Sequence, residues 1–87
     1  LLILESMPAR LAELITRKID VPTIGIGAGP ATDGQVLVLY DLLGIYPNGS
    51  PSFSKNFLQE NETVLDAIIG FNNAVKKGLF PSKAHFT

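Results

Sequence analysis

Apolar positions along the chain fall into three short runs and two helical stripes. Residues 1–4 (LLIL) form an unbroken aliphatic run, the pattern of a strand covered on both faces. Pro8 then suits the first position of a helix, where its missing N–H costs nothing. Over residues 8–18, Leu11, Ala12, Leu14 and Ile15 fall on one side and Arg10, Glu13, Arg17 and Lys18 on the other. That pattern predicts an amphipathic helix with Arg17 and Lys18 at its negative end. Val21 and Pro22 lead into a second predicted strand at residues 23–27 (TIGIG), and VLVLY at residues 36–40 predicts a third, closed by Asp41. Asp33-Gly34 marks a turn, and the two prolines of residues 44–51 (GIYPNGSP) predict a loop. Phe53, Phe57 and Leu58 suggest a short helical turn. Thr63 and Asp66 form a capping box for a final helix to Lys77, with Leu65, Ile68, Ile69, Asn72 and Val75 on its inner face. Gly78 stops that helix and Pro81 seals it.

Strand, helix, strand, short link, strand, helix is the tail of a parallel α/β arrangement. Doubly wound sheets and (β/α)8 barrels both supply this order. The link between the second and third strands has no room for a crossover helix, which favours the barrel. A complete barrel needs about 250 residues, so an 87-residue chain provides only its last units. The first residue is Leu, already inside an apolar run, so the natural start is expected upstream.

Composition narrows the function classes. With 46% hydrophobic and 17% charged residues the chain is that of a globular protein, at most one domain. Seven basic residues against eight acidic give a formal charge of -1, which leaves no basic footprint for nucleic acid or an acidic membrane surface. The absence of cysteine excludes disulfides and thiolate metal sites and fits a reducing compartment. No apolar run approaches the roughly 20 residues of a membrane span, and no basic segment precedes the opening run as in a signal peptide. A soluble, cytoplasmic protein is expected.

Few residues are candidates for chemistry. Glu5 stands where the first strand ends, and from spacing alone it reads as a carboxylate that caps the next helix or pairs with a nearby Arg. Gly25, Gly27 and Gly29 form G-x-G-x-G, but Pro30 follows, so the dinucleotide pattern G-x-G-x-x-G is not met. These glycines read as close packing and turning at the sheet rim, with a phosphate cradle as the alternative. Asp33 and Asp41 are possible Mg2+ ligands by donor type, but their turn and strand-end positions point to structural roles. His85, the single histidine, reads as a surface or lid residue rather than an acid–base catalyst. The sequons at Asn48 and Asn61 are chance matches in a cytoplasmic protein.

The runs LILESMP, VPTIGIGAGPATDGQVLVLYDLLG, PSFSKNF and GLFPSKAHFT, in this order and spacing, resemble the C-terminal third of the ketopantoate hydroxymethyltransferase family. IGIGAG followed by TDGQ-L is the most distinctive part. Tyr40 departs from the His that many family members carry before the Asp. The resemblance implies a (β/α)8 TIM barrel, with residues 1–87 as strands 6 to 8 and the C-terminal helices of its single domain. It implies a transferase of pantothenate biosynthesis that adds a hydroxymethyl group from 5,10-methylenetetrahydrofolate to 3-methyl-2-oxobutanoate, giving ketopantoate. It further implies Mg2+ held by carboxylates upstream of residue 1, so no metal ligand in this chain, and a homo-oligomer, a decamer in the family. Glu5 matches the general base that takes the proton from C3, held at the barrel mouth in a partly dry site. The alternative is a noncatalytic fragment or module that docks its exposed strand edges and helix faces on another chain.

Overall fold

The computed structural model describes residues 1–45 and 49–87. The predicted loop at residues 44–51, and with it the sequon at Asn48, falls in part outside the described residues. Three parallel strands, β1 (Leu2–Glu5), β2 (Thr23–Ile26) and β3 (Gly34–Gln35), lie side by side in sequence order. The register pairs Leu4 with Gly25 and Glu5 with Ile26, then Ile24 with Gly34. Helix α1 (Ala9–Lys18) connects β1 to β2. It starts one residue after Pro8, whose carbonyl accepts from the N–H groups of Leu11 and Ala12. The link from β2 to β3 contains no helix, as its length predicts.

Two apolar clusters hold the chain together. In the first, Leu4, Ala12 and Ala28 are buried, with Met7 and Ile15 against them. Ala12 has no exposed surface, so α1 sits close to the strands. Leu11 and Leu14, expected on the inner face, are instead 46% and 50% exposed. At about 100° per residue they lie about 100° and 160° around the helix from Ala12, whereas Thr16 lies about 40° away. The contact stripe thus runs through Ala12, Ile15 and Thr16, and its polar member shares a part-buried hydrogen bond with Thr23, the two hydroxyl oxygens 2.9 Å apart.

In the second cluster Leu37, Leu42, Leu43, Phe57, Ala67 and Phe80 are buried. Residues 36–40 are not the strand their pattern predicts. Val36 donates one further sheet hydrogen bond, to Gly25 at 3.0 Å, and the chain then turns into a short helix, α2 (Leu39–Leu42). A short apolar run is ambiguous between strand and buried helix. Here β3 is an edge with no partner on its far side among the described residues, and the Val38 carbonyl accepts from Leu42 to start the helix. A 3-10 turn at Phe57–Glu60 matches the expected helical turn, its start capped by the Asn56 side chain. Asn61, the second sequon residue, uses its amide to reach the Phe57 carbonyl.

Helix α3 (Val64–Lys76) begins as its sequence requires, with the Thr63 hydroxyl accepting from Asp66 N–H at 3.0 Å. Gly78, at φ +73°, ends it in the left-handed conformation that favours glycine. Its inner face differs from the expected one. Ala67, Phe71, Ala74 and Val75 pack on the core, whereas Leu65, Ile68 and Ile69 are 66%, 41% and 47% exposed. This helix carries two apolar stripes, and the one with Phe71 packs inward because its ring meets Phe57 and Phe80 edge-on at 5.5 and 5.9 Å.

The expectation that β1 is covered on both faces also fails within this chain. Leu4 is buried under α1, but Leu2 and Ile3 are 39% and 59% exposed, because β1 is the other sheet edge and its second face has no cover among the described residues. No helix among them is long and apolar enough to cross a membrane.

Candidate active site

Glu5 is the last residue of β1 and is exposed. Side chains alternate across a strand, so Leu4, packed beneath α1, and Glu5 point to opposite faces of the sheet. Neither structural role expected for Glu5 is realised. Helix α1 has Pro8 at its N-cap and no side-chain cap, and the two ion pairs among the described residues are Arg17 with Glu13 and Lys55 with Glu60. The surroundings that would dry this carboxylate are not supplied by the chain's own residues, because the face it occupies is the open one.

Immediately after Glu5 the backbone takes an unusual turn. Ser6 has φ 50°, a left-handed conformation that costs a non-glycine residue about 1–2 kcal/mol. Its N–H donates to the Ile26 carbonyl at 2.9 Å, so the turn is tied to the end of β2. A cavity of ≈ 420 Å³ opens at these two strand ends. Ser6 and Gly27 border it from the sheet, Ser52 and Phe53 from the loop before the 3-10 turn, and residues 84–87 from the C-terminal end of the chain.

The glycine-rich loop is occupied by protein. A Cβ on Gly29, at φ +84°, would stand 2.5 Å from the Cβ of Ala9, and one on Gly25 would meet Thr32 Oγ1 at 2.8 Å. Close packing accounts for these positions, as the pattern suggested, and leaves the phosphate alternative without a cradle at either glycine. The loop is pinned by Gln35, whose amide donates to the Gly29 carbonyl at 2.8 Å and to Thr32 Oγ1 at 3.1 Å.

Asp33 has the structural role read from its position. Its Oδ2 accepts from Thr23 N–H at 2.8 Å, and its own N–H donates to Thr23 Oγ1 at 3.2 Å. Asp33 thereby clamps the start of β2 and continues the chain of hydroxyls from Thr16. Replacing Asp33 by Ala is expected to lower stability by about 2 kcal/mol, the worth of a charge-assisted hydrogen bond. Urea unfolding of the full-length protein measures it, and Asp33→Asn should lose less than half as much. A change in the Mg2+ concentration needed for activity, without a change in unfolding, would instead make Asp33 a metal ligand.

Asp41 lies in the first turn of α2 and is 3% exposed, with Oδ1 buried and unpaired among the described residues. Tyr40 beside it is 61% exposed. Among the described residues no three His, Cys, Asp or Glu side chains converge.

His85 is placed by a turn of its own, the 3-10 segment Lys83–His85. Its Nδ1 accepts from Ser82 N–H at 3.1 Å, and its ring packs at a tilt against Phe80 with centroids 4.9 Å apart. Burial first, and then the charge of Lys55, hold the imidazole below its ordinary value of 6.5. Ser6, Phe53, Ala84, Phe86 and Thr87 are not singled out as site residues by composition or spacing, whereas His85 is read as a surface or lid residue. Phe53 and the tail stand in PSFSKNF and GLFPSKAHFT, two of the runs that carry the family resemblance.

Comparison with known proteins agrees with that resemblance. Residues 1–83 match the family described as ketopantoate hydroxymethyltransferase. Over 85 residues the chain is 52% identical to the 3-methyl-2-oxobutanoate hydroxymethyltransferase of Pseudoalteromonas atlantica, which covers 98% of this chain and 32% of that protein. The enzyme of the same name from Nitrosococcus oceani is 56% identical over 81 residues, 93% of this chain and 31% of its own length. That from Vibrio parahaemolyticus is 51% identical over 85 residues, with coverages of 98% and 32%. The chain spans about a third of the length of the curated relatives it matches. With the LILESMP, IGIGAG and TDGQ runs all inside the matched span, this chain belongs to the ketopantoate hydroxymethyltransferase family.

Proposed function

We propose that the chain is the C-terminal part, strands 6 to 8 with their helices, of a single-domain (β/α)8 barrel that makes ketopantoate from 3-methyl-2-oxobutanoate. The observation that carries this reading is the end of β1. Glu5 occupies the sheet face turned away from α1, at the C-terminal end of a parallel strand, and a left-handed Ser6 and a cavity follow it directly. Helices cover the outside of such barrels and chemistry gathers at the C-terminal strand ends, so this face is the barrel interior and this end its mouth. Backbone strain at the junction supports a functional position, because sparsely populated conformations cluster at active sites.

In this reading the Glu5 carboxylate takes the proton from C3 of the ketoacid, and the C–H bonding pair becomes the enolate. Water adds to the methylene carbon of 5,10-methylenetetrahydrofolate, its two C–N bonds break as the nitrogens take the two protons of water, and tetrahydrofolate departs, leaving formaldehyde. The enolate carbon bonds to the formaldehyde carbon, the resulting alkoxide takes back the proton held by Glu5, and the product is ketopantoate. A carbon acid beside a ketone is too weak for an unaided carboxylate, so positioning and stabilisation of the developing oxyanion are both needed. Mg2+ would supply positive charge at the ketone oxygen, held by carboxylates upstream of residue 1. The open edges of β1 and β3 are where the rest of the barrel pairs. The full protein is a cytoplasmic homo-oligomer that acts on small molecules and not on nucleic acid or membranes.

The direct test is to supply the full-length protein with Mg2+, the ketoacid and the folate donor and to look for ketopantoate. Turnover supports the reading, and its absence under saturating substrates refutes it. The exposed apolar residues along β1 and α3 also suit a noncatalytic module docked on another chain. Intact mass of the native protein separates the two, since a stable 87-residue product favours the module.

A further inference from the structure

We propose that residues 82–87 form a strap that closes the cavity at the ends of β1 and β2 over the bound ketoacid, and that His85 is the positioning residue that latches it. This rests on the transferase reading and extends it to the far end of the chain. The tail supplies Ala84, His85, Phe86 and Thr87 to the cavity wall, opposite Ser6 and Gly27. Among the described residues none of these four makes a backbone hydrogen bond to a strand or to another helix. What holds them is local, a single 3-10 turn in which His85 N–H donates to the Ser82 carbonyl at 2.9 Å and Nδ1 accepts from Ser82 N–H at 3.1 Å. Ser82 Oγ lies 3.0 Å from the same ring nitrogen.

That geometry works in one protonation state. A backbone N–H cannot act as an acceptor, so Nδ1 must be bare and the imidazole neutral, with its proton on Nε2. An imidazolium carries a proton on both nitrogens and loses the contact from Ser82 N–H, leaving Nδ1–H to donate to Ser82 Oγ alone. The groups around the ring act in the same direction. Phe80 packs against the ring at a tilt of 53°, and the charge of Lys55, which pairs with Glu60 at 3.2 Å, acts on it from the segment before the 3-10 turn at Phe57–Glu60. Lys83, on the strap itself, is exposed. Because the folded-state value is depressed, the latch is intact above the ordinary value of 6.5 and is lost as pH falls below it through the folded-state value. Phe80 anchors the strap in the second apolar cluster, so opening needs only the residues beyond it to move.

Two measurements on the full-length protein test this. Amide hydrogen exchange of residues 83–87, corrected for intrinsic rates, is expected to quicken about tenfold between about pH 7.5 and about pH 5.5. His85→Asn keeps an acceptor that does not titrate and should stay slow at both pH values, whereas His85→Ala should be fast at both. In steady-state assays His85→Ala and a chain ending at Lys83 are expected to raise KM for 3-methyl-2-oxobutanoate about tenfold, with kcat changed less than about twofold and His85→Asn near the parent. Tail exchange that does not respond to pH, or KM unchanged when the tail is removed, overturns the proposal. Should the parent protein fail to turn over the ketoacid, the transferase reading falls, and the pH response of the tail still decides whether His85 is a latch.

Discussion

Glu5→Gln in the full-length protein is expected to slow solvent deuterium exchange at C3 of 3-methyl-2-oxobutanoate by about a thousandfold, within the usual worth of a positioned general base. The amide is nearly isosteric with the carboxylate and cannot accept the proton, so the change removes the chemistry and little else. Glu5 makes no cap and no ion pair among the described residues, so its loss should leave the unfolding midpoint where it was. Ketoacid binding in the presence of Mg2+ should change less than about threefold, because a group that acts only in the transition state contributes little to the ground state. Glu5→Asp retains a base but draws it back by one methylene. A misplacement on the order of 1 Å costs about a hundredfold, so this variant should fall between the two. Exchange at the parent rate in Glu5→Gln would end the general-base assignment, and a large loss of binding with normal exchange per bound molecule would make Glu5 a substrate anchor instead.

Why this residue could be read from the sequence, while its surroundings could not, is a matter of range. A carboxylate that ends an aliphatic run is a local signal, and so are the turn at Asp33-Gly34, the Thr63 cap and the Gly78 stop. The Glu5 strand end, the Thr63 cap and the Gly78 stop stand at the expected positions, whereas Asp33 is in a bend held by Thr23 and Gly34 already begins β3 instead of turning. The faces of α1 and α3 depend instead on what lies across from them. In α1 the stripe that meets the sheet includes the polar Thr16, which bonds Thr23, and leaves Leu11 and Leu14 outside it. In α3 two stripes were equally apolar, and three aromatic rings from separate parts of the chain decided between them. VLVLY lacks a partner strand on its outer side among the described residues, and an apolar run that reads as strand ends as an extended stretch and a turn of helix. The cavity wall is the extreme case, since Ser6 meets residues from the last turn of the chain and no short-range pattern foretells that meeting.

The same long-range cluster sets the largest effect expected on stability. Phe57 is 2% exposed, and its ring meets Phe71 and Phe80 edge-on, both at 5.5 Å. Lys55 Nζ stands 5.0 Å from the ring centroid. Truncation to Ala removes the ring that α3, the 3-10 turn at Phe57–Glu60 and the segment after Gly78 share. Phe57→Ala is therefore expected to cost the full-length protein about 3–5 kcal/mol, the range for emptying an aromatic site that cannot collapse. Edge-on ring pairs account for about 0.5–1.5 kcal/mol of it apiece, so Phe57→Leu, which keeps most of the volume, should lose about 1–2 kcal/mol. Urea unfolding, followed by circular dichroism and by resistance to a protease pulse, measures both. Because Phe80 is one of the two ring partners, Phe57→Ala should also loosen residues 82–87 and raise KM for the ketoacid. Phe57→Leu keeps the second cluster filled and should leave that KM near the parent value. Equal losses in the two variants would mean that ring geometry, not filled volume, holds α3 in place, and an unchanged midpoint in Phe57→Ala would mean that the rest of the full-length protein carries this region without the aromatic cluster.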